Sequence, residues 1–255
     1  MVELKTPGEI AVMREAGRVV ATALAATQAA ATVGTSLREL DEIAATVIRE
    51  AGAKPSFLHY HPRSAPGPYP AVVCTSVNDA VVHGIPTSYR LAEGDVLSVD
   101  CGAYIDGLHG DSAVTFIVGT ADPDDQRLVD ETRRALHAGI AAATPGARMG
   151  DIAHAIGTVG RSCGFGLMEN HGGHGIGRAM HEDPFVPNEG KPGRGLRLRP
   201  GLVLALEPMF IAGGNDKYRV DRDGWTLRSA DGSRAAHWEH TIAVTDDGPV
   251  ILTAL

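Results

Sequence analysis

A chain of 255 residues, 44% hydrophobic and 21% charged, is long enough to bury a sizeable core as one large body or two fused halves. Its net charge of −8, from 31 acids against 23 bases, argues against a partner that is recognised through nucleic-acid phosphates. Three cysteines at long spacings argue against a disulfide framework and favour a reducing compartment, which predicts a cytoplasmic protein.

Residues 1–5 show no leader pattern, and no apolar run reaches ~18 residues, so no membrane span is expected. Thr6-Pro7-Gly8-Glu9 reads as a helix start, with Thr6 as N-cap, Pro7 at the first position and Glu9 at the third. Ile10, Met13, Val20 and Leu24 carry that helix to about residue 31. Ser36 caps a second helix running to Glu50, with Leu37, Leu40, Ile43, Val47 and Ile48 as its apolar face and Gly52 at its end. Residues 61–70 are proline-rich and predict a loop, 71–77 a strand, and Asn78-Asp79 a turn before Val81-Val82-His83-Gly84-Ile85-Pro86. Residues 97–102 and 110–116 then predict two alternating strands joined by a turn region that contains Gly and Tyr. Asp100 ends the first of these strands and Asp111 opens the second. Two bare carboxylates held face to face repel, and a metal cation relieves that repulsion.

The second half repeats the plan. At an offset of 112, Gly34 meets Gly146, Leu37 meets Met149, Leu40 meets Ile152, Val47 meets Val159 and Gly52 meets Gly164. His83-Gly84-Ile85 recurs as His174-Gly175-Ile176, the strand ending in Asp100 recurs as one ending in Glu207, and Asp111 recurs as Glu239. The reading is a single catalytic domain over 1–255, with pseudo-symmetric halves at about 7–118 and 124–250. Its class is α+β, with a central antiparallel sheet and helices on the outer face.

Asp100, Asp111, Glu207, Glu239 and His174 together are mostly hard oxygen donors, and four negative charges suit two divalent ions. Two ions about 3.5–4 Å apart are the arrangement used by aminopeptidases and phosphatases. The glycine-rich run 172–177 lacks the Lys-Ser/Thr of a phosphate loop. His83 and His181 read as orienting groups, proton donors, oxyanion stabilisers or simply structural histidines. Cys74 reads as a small buried apolar residue, and the other eight histidines, His237 among them, carry no functional expectation.

In these residues the chain resembles a type I methionine aminopeptidase, the short bacterial kind with the pita-bread fold. The matching pieces are Ser76-Val77-Asn78 with 82–86, Val99-Asp100-Cys101-Gly102, His109-Gly110-Asp111, His174-Gly175-Ile176-Gly177 with Met180-His181-Glu182, Glu207-Pro208-Met209 and Trp238-Glu239-His240-Thr241. The resemblance implies removal of the initiator methionine when the second residue is small, by attack of a dimetal hydroxide on the first peptide bond. Asp100, Asp111, His174, Glu207 and Glu239 are then the metal ligands, and Glu207 also shuttles protons. His83 and His181 contact substrate and stabilise the tetrahedral intermediate. Tyr60, Cys74 and Trp225 line the methionine pocket, with Phe57 and Met180 nearby. The implied cofactors are two divalent ions (Co, Mn, Fe or Zn all fit), with a monovalent cation as an optional addition. The implied partners are the N-termini of nascent polypeptides and the ribosome, with no nucleic acid or membrane, and the expected state is a monomer. An Xaa-Pro aminopeptidase, or a binding protein of the same fold with altered catalysis, is the alternative. Residues 62–68 depart from the family pattern as an apparent insertion beside the methionine pocket.

Overall fold

The computed structural model describes residues 2–63 and 65–255; Ser64, inside the apparent insertion, lies outside the described residues. Two helices lead, α1 (Pro7–Ala30) and α2 (Leu37–Glu50). They are followed by β1 (Lys54–Pro55), β2 (Val73–Val77), β3 (Ala80–Val82), β4 (Val96–Ile105) and β5 (Leu108–Ile117). Helices α3 (Pro123–Ala142) and α4 (Met149–Ser162) open the second half. Then come β6 (Gly166–Leu167), β7 (Gly172–Gly175), β8 (Glu182–Pro187), β9 (Val203–Leu206) and β10 (Met209–Ile211). The chain closes with β11 (Tyr218–Val220), β12 (Leu227–Ser229), β13 (Ala235–His237), β14 (Glu239–Thr245) and β15 (Gly248–Ile251).

Both leading helices start as their sequences dictate. Thr6 and Glu9 form one capping box and Ser36 and Glu39 another, so the first free N–H groups are satisfied within the chain. Helices α2 and α4 share both bounds at the offset of 112, and their N-caps Ser36 and Arg148 each make an isolated bridge, to Arg90 and Arg197. Gly34 and Gly146, at φ 92° and 90°, make equivalent left-handed turns before them. Each helix pair covers its own core, one around Val20, Leu40, Ile48 and Val99, the other around Leu136, Ile152, Ile156 and Phe210.

The main sheet runs β1-β4-β5-β14-β9-β7-β8, with β2 also on β4 and β15 on β14, and every pairing is antiparallel. The halves meet at β5 and β14, where the ladder holds only Ser112↔His240 and Ala113↔Glu239. Threonine hydroxyls continue the seam at both ends. Thr241 Oγ1 accepts from Asp111 N (3.0 Å) and donates to Asp111 O (2.7 Å). Thr115 Oγ1 does the same with His237 N (3.0 Å) and O (2.6 Å).

Three expectations are corrected. Asp100 and Asp111 sit inside their strands, because the hairpin turns at Asp106-Gly107, whose φ values of 46° and 90° are both positive. Asp-Gly is the favoured pair for such a tight turn, so residues 103–105 and 108–110 stay in the ladder. The strand expected from residue 71 starts at Val73, since Asp41 Oδ1 on α2 accepts from Val72 N (2.8 Å) and Val73 N (3.0 Å). The two His-Gly-Ile copies stand in different sheets: His174 is on β7 in the main sheet, and His83 follows β3, which pairs with β12 in a small sheet.

Candidate active site

The strand register gathers the acids. Asp100 lies opposite Ala113, which lies opposite Glu239 on the far side of the seam. Asp111 lies opposite Gly102, two residues along β4 from Asp100 and so on the same face. On the other half His174 lies opposite Ala205, two residues before Glu207. Gly102, Ala113 and Ala205 therefore pave a small-residue floor between five longer side chains. At Gly102 a Cβ would stand 2.8 Å from Ser56 Cβ and 2.9 Å from Phe57 Cε1, so the floor cannot thicken there.

Asp100, Asp111, His174, Glu207 and Glu239 line one cavity of 270 Å³ with Phe57, Tyr60, Pro62, Tyr69, Cys74, His83, Met180, His181 and Trp225. All ten residues expected to act therefore share this cavity. Among the described residues no lysine or arginine pairs with the four acids. Burial, reinforced by mutual repulsion, holds Asp100 and Glu239 well above the usual carboxylate range. Glu207 is raised by burial and by Asp111, and Asp111 is pushed up to about 7 by burial. Asp100 Oδ1, Asp111 Oδ1 and Glu239 Oε1 are buried without a hydrogen-bond partner. Three orphaned oxygens on buried acids with no cationic partner are a condition that divalent cations relieve, and the oxygen-rich donor set fits such ions. Ligand atoms of Asp111, His174 and Glu239 already lie within 4.8 Å of one another.

The histidines are neutral. Burial, then His181, lowers His174 to about 3, and its Nδ1 donates to Gly175 O (2.9 Å), which leaves Nε2 bare and 3.6 Å from Glu207 Oε1. Burial, then His171 and His181, lowers His83 to about 4. The His83 backbone is left-handed, φ 61°, an uncommon state for a side-chain-bearing residue. The next residue holds it there: Gly84 O accepts from Thr75 N (2.7 Å) and Tyr69 Oη (2.9 Å), and Gly84 N donates to Ser76 Oγ (3.1 Å). His181 stacks on Tyr60, with Tyr60 Oη 2.9 Å from its Nδ1, and its ring centre is 4.2 Å from that of His174. Trp225 meets Tyr69 edge-on at 5.0 Å, and Asp223 Oδ1 accepts from Trp225 N (2.9 Å) and Thr226 N (2.8 Å) to fix its turn. Cys74 is buried and its thiol is pushed up by that burial, so it lines the wall as a thiol.

One residue without a sequence expectation stands in the cluster. His237 is 2% exposed, with Nε2 3.5 Å from Glu207 Oε2 and 3.7 Å from Glu239 Oε2. Its place two residues before Glu239 was the available signal, since such residues share a side in extended chain.

A curled antiparallel sheet backed by two helix pairs, with a buried carboxylate–imidazole cluster on one face, is the pita-bread arrangement of a metallopeptidase. Residues 11–246 match the model of metallopeptidase family M24. The chain is 55% identical to a methionine aminopeptidase 1 of Mycobacterium tuberculosis, over 99% of this chain and 95% of that protein. It is 44% identical to a methionine aminopeptidase 1 of Bacillus subtilis, over 99% of both. The crystal structure of a methionine aminopeptidase from Thermotoga maritima superposes with a TM-score of 0.95 at 42% identity, covering 100% of each chain. A prolidase from Pyrococcus horikoshii shares the fold at 21% identity and a TM-score of 0.77, over 98% of this chain and 63% of that one. The chain belongs to metallopeptidase family M24, in its methionine aminopeptidase branch.

Proposed function

We propose that this protein removes the N-terminal methionine from nascent polypeptides whose second residue is small, with two divalent ions held by Asp100, Asp111, His174, Glu207 and Glu239. The observation that supports this most is the convergence of the five donors, with their orphaned oxygens, on the floor of a cavity whose walls are aromatic, thiol and thioether. Divalent ions bound there supply Lewis acidity toward the peptide carbonyl and make water a nucleophile near neutral pH. Glu207 is the proton carrier: it takes the proton of the attacking water and passes it to the departing amine. His83 and His181, both neutral, each offer an N–H toward the carbonyl oxygen as it gains charge. Donation from Tyr60 Oη to His181 Nδ1 keeps the His181 proton on Nε2, where it serves that bond. Tyr60, Cys74 and Trp225, with Phe57 and Met180, receive the methionine side chain, whose thioether suits aromatic and sulfur neighbours. Selection of a small second residue follows from size, because overfilling a packed site costs about 1–3 kcal/mol.

Metal-stripped protein assayed on Met-Ala-Ser and on an Ala-Pro peptide tests the reading. Mn²⁺, Co²⁺, Fe²⁺ and Zn²⁺ are returned one at a time, beside an Asp100→Ala control. Release of methionine restored by metal and absent in the control is expected. Release of the residue before proline would reassign the protein as an Xaa-Pro exopeptidase.

A further inference from the structure

We infer that His237 is a sixth donor of the metal centre, giving the Glu207–Glu239 side an imidazole of its own. The inference rests on the dimetal reading above. Glu207 stands between two imidazoles, with Oε1 3.6 Å from His174 Nε2 and Oε2 3.5 Å from His237 Nε2. His237 Nε2 is also 3.7 Å from Glu239 Oε2. None of these is a hydrogen bond, since N···O bonds close at about 2.7–3.2 Å. His237 Nε2 has no hydrogen-bond partner among the described residues, although it is buried and faces two carboxylates. Two donor atoms, each ~2.1 Å from one ion, lie at most ~4.2 Å apart, and both His237 separations fall inside that limit. The ligand atoms of Glu207, His237 and Glu239 lie within 4.8 Å of one another, as those of Asp111, His174 and Glu239 do. The two triads share Glu239, and each contains one imidazole.

The backbone that carries the ring is held in place by the neighbouring strand. The Thr115 hydroxyl, bonded to both His237 N and O, ties the backbone of this residue to β5. A second nitrogen donor shifts the preference of the site toward Fe, Co and Zn and away from Mn, which favours oxygen.

Calorimetric Co²⁺ titration of metal-stripped wild type, His237→Gln and His237→Ala, followed also by visible absorption, tests the inference. The wild type is expected to bind two equivalents. The variants should keep the first equivalent and bind the second at least about tenfold more weakly, with an altered Co²⁺ spectrum. Competition should also move the variants toward Mn²⁺ relative to Zn²⁺. Equal second-ion affinity and equal spectra in wild type and variants overturn the role of His237 and leave the dimetal reading standing. A wild type that binds fewer than two ions overturns both. Proton NMR of Co²⁺-loaded wild type makes the test independent of how the variants fold. Metal-shifted ring signals from two imidazoles are expected, and signals from one alone overturn the inference.

Discussion

Asp111 and the ion it is assigned compete with the proton. Burial pushes Asp111 up to about 7 and holds Asp100, Glu207 and Glu239 well above the usual carboxylate range, so the cluster as a whole carries protons near neutral pH that must leave before it can ligate. Ion affinity should therefore fall as pH drops through 7, and binding at pH 6 should release protons, seen as a buffer-dependent heat in calorimetry. His174, lowered to about 3, stays neutral across that range and adds no competition. Asp111→Asn should reduce bound metal below two equivalents and lower kcat about 100-fold or more, which metal analysis and steady-state assay would check together. Tyr60→Phe removes only the hydroxyl that fixes the His181 proton, so kcat should fall about tenfold with KM little changed. A rise in KM of about tenfold with kcat unchanged would instead assign the hydroxyl to methionine binding alone.

Elements place these residues through close contacts that glycine allows. A Cβ on Gly110 would stand 2.9 Å from Gly17 N and 3.1 Å from Gly17 Cα, so α1 lies directly on β5 beside Asp111. Gly110→Ala should cost about 1–3 kcal/mol in thermal unfolding and also weaken metal binding, because β5 must shift. Lys5 offers a second case. Its buried ammonium pairs with Glu182 (2.8 Å), the residue after His181, while Glu182 also accepts from Ala179 N (3.0 Å). Lys5→Met removes that carboxylate's ammonium partner while its backbone hydrogen bond stays, and should cost about 1–3 kcal/mol, with partial recovery in the double variant with Glu182→Gln. Much at this scale was legible in the sequence: the Thr6–Glu9 capping box, the Ser36 N-cap, the breaks at Gly34 and Gly52, and the alternation of 97–102 and 110–116 are local signals. The failures came from partners distant in sequence. Asp41 takes the N–H groups of Val72 and Val73, and Ile43 and Val47 are only half-buried because Ala44 faces the core in their place.

At the scale of the molecule, the repeated plan was legible as two halves, with helices offset by 112 residues, and it singled out four acids and one imidazole, because each copy carries its own acidic pair of strands. His237 escaped notice because Glu207, which it meets, lies 30 residues away across a small-sheet excursion, and no repeat marks it. The halves also interlock, since β3 of the first pairs with β12 of the second. A chain cut between Gly119 and Ala121 should therefore bind metal only when both pieces are co-expressed, and neither piece alone should yield a bound ion in native mass spectrometry. The seam between β5 and β14 holds only two ladder pairs, with hydroxyl bridges at either end. Asp100 and Asp111 stand on one side of it, and His174, Glu207 and Glu239 on the other. Ions held by both sets would rivet the halves together. In a cell short of metal, the unriveted protein would open more readily and be digested sooner, so that metal supply would set its lifetime as well as its rate.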